Sequence, residues 1–233
     1  MTLGHFAVAF GAKSVAPRTS LGTLILAAQF VDLLWPTLLL LGVEHVVIVP
    51  GITAFTPLDF VDYPVSHSLL MVVLWGLGFA AVYYALRRYP RGALVVGVAV
   101  LSHWLLDVLV HRPDLPLSPL DDVKVGLGLW SSVAGTMILE LGLFAVGVWL
   151  YARATVATDR IGRGAFPVLV VFLLLTYVSG VFGPPPPDVA TLAWAAQAQW
   201  LLVAWGYWLD RHRGPRPGVV PGVEGGAYTP RQG

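Results

Sequence analysis

The chain has 233 residues; 57% are hydrophobic, 12% are charged and the mean hydropathy is +0.75. A soluble domain carries about 25% charged residues, so a soluble globule is excluded, as are a disordered chain and a collagen-like fibre. The formal net charge of +1 gives no general affinity for nucleic acid, and the lack of Cys removes disulfide frameworks, thiolate zinc sites and Cys nucleophiles.

What remains is an integral membrane protein, and its apolar runs set the outline. Residues 1–12 are apolar but too short to span, and they lack the basic lead and small-residue cleavage site of a signal peptide. They predict a short interfacial or partly inserted helix. Long apolar runs follow at 21–42, 66–86, 92–110, 125–151, 166–182 and 189–209. At ~1.5 Å per residue, about 20 residues cross the hydrocarbon layer, so the runs predict an all-α, polytopic transmembrane helix bundle of about six spans plus the short N-terminal helix. Residues 184–187 form a stiff Pro turn before the last span. Residues 214–233 are rich in Gly and Pro and are expected to form a disordered cytoplasmic tail. No internal repeat is evident.

Lys13, Arg18, Arg87, Arg88, Arg91, Arg153, Arg160, Arg163, Arg211, Arg213, Arg216 and Arg231 gather at one set of span ends, and only Arg112 and Lys124 fall at the other. Cytoplasmic loops carry the excess of Lys and Arg. Both termini are therefore expected in the cytoplasm, with Glu44, Asp59, Asp62, Asp114, Asp121, Asp122 and Asp188 facing outward. The expected location is the cytoplasmic membrane of a bacterium or archaeon. Trp35, Trp130, Trp149, Tyr151 and Trp208 near span ends are expected at the membrane interface.

Function must come from the polar residues inside this apolar chain, since an ionisable group in a span costs about 2.5–3.5 kcal/mol on insertion scales and marks a functional site by default. Asp32, His103, Asp107 and Glu140 fall within spans, His67 and His111 at outer span ends, and His5 on the N-terminal segment. The pattern His103-x-x-x-Asp107-x-x-x-His111 puts three ionisable side chains on one helix face. Imidazole nitrogen and carboxylate oxygen suit zinc or another first-row divalent ion. Counted from the cytoplasmic ends of their spans, Asp32 and His103 both lie about 16–18 Å deep, so the two can meet, with Asp107 about 6 Å further out. His67 enters from the outer loop and stands about 10 Å too high unless the Pro-bearing loop 50–64 dips inward. No Lys or Arg within the expected spans pairs with Asp32 or Asp107, which favours a metal ion or a proton as partner. Structural readings stand beside these: His67 as a helix cap, His111 as an interface residue, Glu140 as a protonated bundle residue, Gln197 and Gln199 as interhelical hydrogen bonding, and His45 and His212 as loop and tail residues.

Taken in order, Gly4-His5, Asp32, Ser66-His67-Ser68 and Ser102-His103-x-x-x-Asp107 resemble the YdjM-like predicted membrane-bound metal-dependent hydrolases, over residues 1–155. That family is similar to the zinc-dependent phospholipases C and to single-strand nucleases of the same helical fold. The resemblance implies a metal-site helical domain at 1–155, followed by two additional transmembrane helices at 156–213. It also implies His5, Asp32, His67, His103 and Asp107 as ligands of one to three divalent ions, zinc by analogy, with Asp107 bridging two of them. Where the family often carries His-Arg-Gly before its His-Ser pair, this chain has Asp62-Tyr63-Pro64-Val65.

Such a site would hydrolyse phosphate esters, because a bound divalent ion lowers the pKa of water toward about 7 and polarises a phosphoryl oxygen. Asp107 and Glu140 are the candidates for the catalytic step, and Glu140 and Gln29 for orienting an imidazole or a water. A site opening toward the outer leaflet expects membrane lipids as surroundings and a lipid or lipid-linked phosphate as substrate. Two other readings stay open: an ion- or proton-coupled transporter or channel using Asp32, His103, Asp107 and Glu140, and a non-catalytic membrane subunit that retains the metal site.

Overall fold

Polar punctuation decides where the apolar runs become helices in the computed structural model, which describes residues 1–218. The chain starts with α1 (Leu3–Val15). The Ser20 hydroxyl then accepts from the Thr23 N–H and opens α2 (Leu21–Leu40). An antiparallel hairpin of β1 (His45–Ile48) and β2 (Leu58–Asp62) follows, with Val46 opposite Phe60. Pro64 occupies the first turn of the short α3 (Pro64–His67), where its missing N–H costs nothing, and Ser68 caps α4 (Leu69–Arg87) through Met71. Pro90 starts α5 (Pro90–Val110) in the same way. The ribbon β3 (Leu115–Pro116) and β4 (Lys124–Val125) leads through a 3-10 turn, Leu129–Ser131, to α6 (Val133–Ala154), capped by Ser132. Next come β5 (Thr155–Ala157) and α7 (Arg160–Phe182), the latter capped by Asp159.

Among the described residues five helices, α2, α4, α5, α6 and α7, are long and apolar enough to cross a membrane. The sixth apolar run is also helical, but it breaks at Ala198 into α8 (Val189–Gln197) and α9 (Gln199–Leu209), neither of spanning length alone. The chain then forms β6 (Arg213–Pro215), antiparallel to β5. Gly214 and Pro215, expected in the disordered tail, are thus paired. Arg213 pins them by donating to the Thr155 hydroxyl and the Gly162 carbonyl. The remainder of that tail, from 219 on, lies outside the described residues.

Of the five long helices, α2 and α5 are the most buried, while α4, α6 and α7 turn side chains such as Leu77, Ile138 and Leu175 outward. Asp32, His103 and Asp107 therefore sit on the two most buried long helices. The N-terminal helix α1 departs from the interfacial expectation. Its Leu3, Phe6, Ala9 and Phe10 are buried, and it packs along α6 and against α2 and α5. Phe10 enters an aromatic nest of Phe144, Tyr151 and Phe166, and burying such rings outweighs exposure to the headgroup layer. Trp35, Trp130 and Tyr151 likewise turn into the protein rather than to the interface, whereas Trp149 and Trp208 are exposed.

Close helix contacts are bought with glycine. A Cβ on Gly147 of α6 would lie 2.6 Å from the Ala7 Cα of α1, and one on Gly76 of α4 would lie 2.9 Å from the Gly97 carbonyl of α5. Gly147→Val is therefore expected to push α1 off α6 and to lower stability by about 1–3 kcal/mol. A lower melting temperature in detergent checks this; an unchanged one would show that the approach is not needed.

Candidate metal centre

Four elements bring the ionisable residues together. Asp32 comes from the middle of α2, His103 and Asp107 from one face of α5, His5 from the first turns of α1, and His67 from the end of α3. Two groups result, His5 with His103 and Asp107, and Asp32 with His67 and His103; within each, one ligand atom per residue lies within 4.8 Å of the others. His5 Nε2 is 3.1 Å from Asp107 Oδ1, and His103 Nε2 is 3.1 Å from Asp107 Oδ2. Asp32 Oδ1 stands 3.5 Å from His67 Nε2 and 3.6 Å from His103 Nε2. The His5 and His103 rings stack with centroids 3.6 Å apart.

His67 reaches this level because the hairpin and α3 lie between α2 and α4. The chain enters the bundle before α4 begins, which removes the height mismatch expected from a simple outer-loop position.

The far nitrogens of two imidazoles decide what their near nitrogens can do. His103 Nδ1 lies 2.9 Å from the Ala28 carbonyl, which only accepts, so Nδ1 carries the proton. In the neutral ring Nε2 then presents a lone pair to two carboxylates, in the charged ring an N–H, and it has no hydrogen-bond partner of its own. His67 is held through a relay. The Ser66 hydroxyl donates to Glu44 Oε2 at 2.6 Å and is 2.6 Å from His67 Nδ1, which must therefore be the donor to Ser66. Its Nε2 is likewise left as a lone pair toward Asp32. Lone pairs facing carboxylates at these distances repel unless a cation or proton lies among them. This is the second-nitrogen arrangement that fixes metal-binding imidazoles, and the donor set fits a divalent ion of the zinc type. His5 differs, since its Nδ1 is buried without a partner.

Glu44 was expected on the outer surface; it is 1% exposed and also accepts the N–H groups of Val65 and Ser66. Neither it nor the Ser66 hydroxyl was assigned a role from sequence. The Ser66-His67 neighbourhood was the only pointer, because Glu44 is distant along the chain. Glu140 accepts the Thr2, Leu3 and Gly4 N–H groups through Oε2, so it seats the start of α1, and its Oε1 has no partner. The Met1 amino group lies 2.5 Å from Asp107 Oδ1. Gln29 is buried with both amide atoms unpaired and makes no hydrogen bond to the cluster.

His111, the third member of the α5 face, stands apart from the cluster. Its Nδ1 donates to Asp114 Oδ1 at 2.9 Å, and Tyr63 donates to the same oxygen. Arg112 pairs with Asp59 of β2 and with Asp114, so this group staples the hairpin to the loop after α5. Burial holds the His111 imidazole below its ordinary value of 6.5, against the pull of Asp114. Burial, helped by Asp114, raises the Tyr63 hydroxyl well above its usual range. Elsewhere Gln197 donates to the Thr37 hydroxyl across helices, His212 pairs with Asp159, and His45 stays exposed.

A cavity of about 310 Å³ adjoins the cluster, lined by Asp32, His67 and Asp107 together with Trp35, Phe60, Trp130 and Tyr177. Asp32 is the accessible member, its side chain 27% exposed against 0–4% for the three imidazoles. No Lys or Arg lines the cavity among the described residues. Comparison with family models, with curated proteins and with solved structures finds no match to this chain.

Two outcomes follow. Glu44→Ala frees the Ser66 hydroxyl to rotate and releases the His67 tautomer, so affinity for added zinc is expected to fall about 10–100-fold in chelator competition, while the exposed Asp62→Ala leaves it unchanged. His111 has a lowered folded pKa, so the unfolded chain binds more protons between that value and the ordinary 6.5. Its contribution to stability is complete above 6.5 and is lost as pH falls from there to the lowered value. Melting temperature should drop over that window, and His111→Gln should lack this part of the drop.

Proposed function

We propose that this chain is an integral-membrane, metal-dependent hydrolase that cleaves phosphate esters of a lipid or lipid-linked substrate. One observation carries the reading: His103 Nε2, with the ring's other nitrogen committed to Ala28, faces the carboxylates of Asp32 and Asp107. A single proton satisfies one such contact; three imidazoles and two carboxylates in two groups that share His103 match divalent cations better. The resemblance of His5, Asp32, Ser66-His67-Ser68 and His103-x-x-x-Asp107 to the YdjM-like hydrolases supports the same ligand set.

In this reading Asp107, with Oδ1 toward His5 and Oδ2 toward His103, and Asp32, beside His67 and His103 on the cavity side, would hold the ions. A divalent ion held by these residues would supply Lewis-acid chemistry toward a phosphoryl group. Glu140 holds α1 so that His5 stays on Asp107, and Glu44 with Ser66 holds the His67 ring. Without cations the cavity would meet a phosphate with the carboxylates of Asp32 and Asp107 and with no Lys or Arg, the Met1 amino group being held on Asp107, so in this reading phosphate binding depends on the ions. The distribution of Lys and Arg supports both termini in the cytoplasm and a site opening toward the outer face of the cytoplasmic membrane.

Purified protein is expected to carry one to three zinc-like ions per chain by elemental analysis and to hydrolyse a phospholipid. His103→Ala is expected to lose both ions and turnover. Metal-free wild-type protein with activity untouched by His103→Ala would sink the proposal. Proton uptake by such metal-free protein would favour a proton-coupled transporter instead.

A further inference from the structure

A second cavity, of about 620 Å³, lies away from the His/Asp cluster, between α2, α4 and α9. Leu26 of α2 and Val82 and Leu86 of α4 form its walls, and the buried Val96 of α5 its floor. Val82 and Leu86 are 60% and 76% exposed, so this groove is open to whatever surrounds the helices.

The two ends of the groove differ. At the inner end Phe30 packs on Trp75 and Phe79, with ring centroids 5.4 and 4.6 Å apart. The Trp75 indole donates to the Val65 carbonyl, which leaves that end apolar. At the other end stand the exposed Arg87 and the hydroxyls of Thr23 and Tyr207, which are 3.0 Å apart. The helical rise from Trp75 to Arg87 along α4 is about 18 Å, and half of a hydrocarbon core is about 15 Å. The groove is therefore about as long as one leaflet and basic only at its mouth.

Arg87 is not alone there. Arg88 and Arg91 follow it at the α4–α5 turn, and Arg18 lies 4.8 Å from the centroid of the Tyr89 ring, which brings the α1–α2 turn to the same place. All four arginines are exposed, and none pairs with a carboxylate among the described residues. The chain has no Asp or Glu before Asp32 and none between Asp62 and Asp107. Asp210, near the start of α2, is already held by Lys13 and the Leu21 N–H. Unpaired guanidinium groups over an apolar groove complement an anionic head on hydrocarbon chains.

We propose that the groove between α2, α4 and α9 seats one anionic phospholipid, its phosphodiester at Arg87 and an acyl chain running inward to Phe30 and Trp75. A guanidinium group can hold two phosphate oxygens at once. The surrounding positive charge disfavours a zwitterionic head, whose own cation it repels. The site shares no residue with the His/Asp cluster and stands independently of the hydrolase reading.

The test titrates the full chain in maltoside detergent with phosphatidylglycerol or with phosphatidylcholine of identical chains, reads dissociation constants by native mass spectrometry, and adds inorganic phosphate as a competitor. Phosphatidylglycerol is expected to bind about tenfold more tightly. Arg87→Ala is expected to weaken it about fivefold and to leave phosphatidylcholine unchanged, whereas Arg160→Ala, at the start of α7, affects neither. Gly78→Phe is expected to weaken both lipids by filling the groove. A Cβ on Gly78 meets nothing within 4 Å, and neither does one on Gly142 of α6, so Gly142→Phe serves as the control that leaves binding intact. An unchanged melting temperature in lipid-free detergent reports that each variant is folded. Equal affinity of the wild type for the two lipids would overturn the proposal, as would equal losses in Arg87→Ala and Arg160→Ala. Wild-type binding by Gly78→Phe, or full displacement of the lipid by inorganic phosphate, would overturn the placement of the chain in the groove and with it the proposal.

Discussion

Buried carboxylates facing imidazole lone pairs form the constraint on which the rest of this molecule depends. Asp107 is almost fully enclosed and Asp32 partly so, and neither has a Lys or Arg beside it. In a low-dielectric interior an uncompensated carboxylate is costly, and lone pairs set at hydrogen-bond distance add to that cost. The Met1 amino group supplies positive charge at Asp107 Oδ1; beside Asp32 the requirement for it stands. The Ala28 carbonyl and the Ser66 hydroxyl make the requirement sharper, since they take the protons of His103 and His67 on the far side of each ring.

The surrounding fold is organised to hold that arrangement. The two most buried long helices, α2 and α5, carry Asp32, His103 and Asp107. The other two ligand candidates arrive on short elements that could not hold position alone, and each is seated by a buried glutamate. Glu140 gathers the first N–H groups of α1, and Glu44 those of α3. Carboxylates at helix starts satisfy donors that have no partner within the helix. Gly147 lets α1 approach α6 closely enough for Glu140 to reach it. The hairpin staple of Asp59, Arg112 and Asp114 then closes the end of the bundle near His67.

The outer and inner faces of the bundle follow different rules. Long apolar side chains on α4, α6 and α7 face outward, as a lipid environment requires. The aromatic residues Trp35 and Trp130 do the opposite and line the cavity at the cluster. The pocket they line carries the carboxylates of Asp32 and Asp107 together with apolar residues of α7 and α8.

Much of the framework was legible in the sequence. Apolar runs report the transfer free energy of local segments, which is additive along the chain, so five long helices appear close to where the runs predict them. The four-residue spacing of His103 and Asp107 and the equal depth of Asp32 and His103 follow from helical rise alone. What lies between the helices was not legible. The descent of His67 depends on a hairpin and a four-residue helix, and the inward turn of α1 depends on which aromatic neighbours it finds. The pairing of Glu44 with Ser66 and the seating of α1 by Glu140 are contacts between residues distant in the chain. Composition and periodicity determined that this is a helical membrane protein with costly polar residues inside. Only the tertiary structure decided which of those residues meet, because the energy of a buried polar atom is set by the few atoms within hydrogen-bond reach, wherever along the chain they come from.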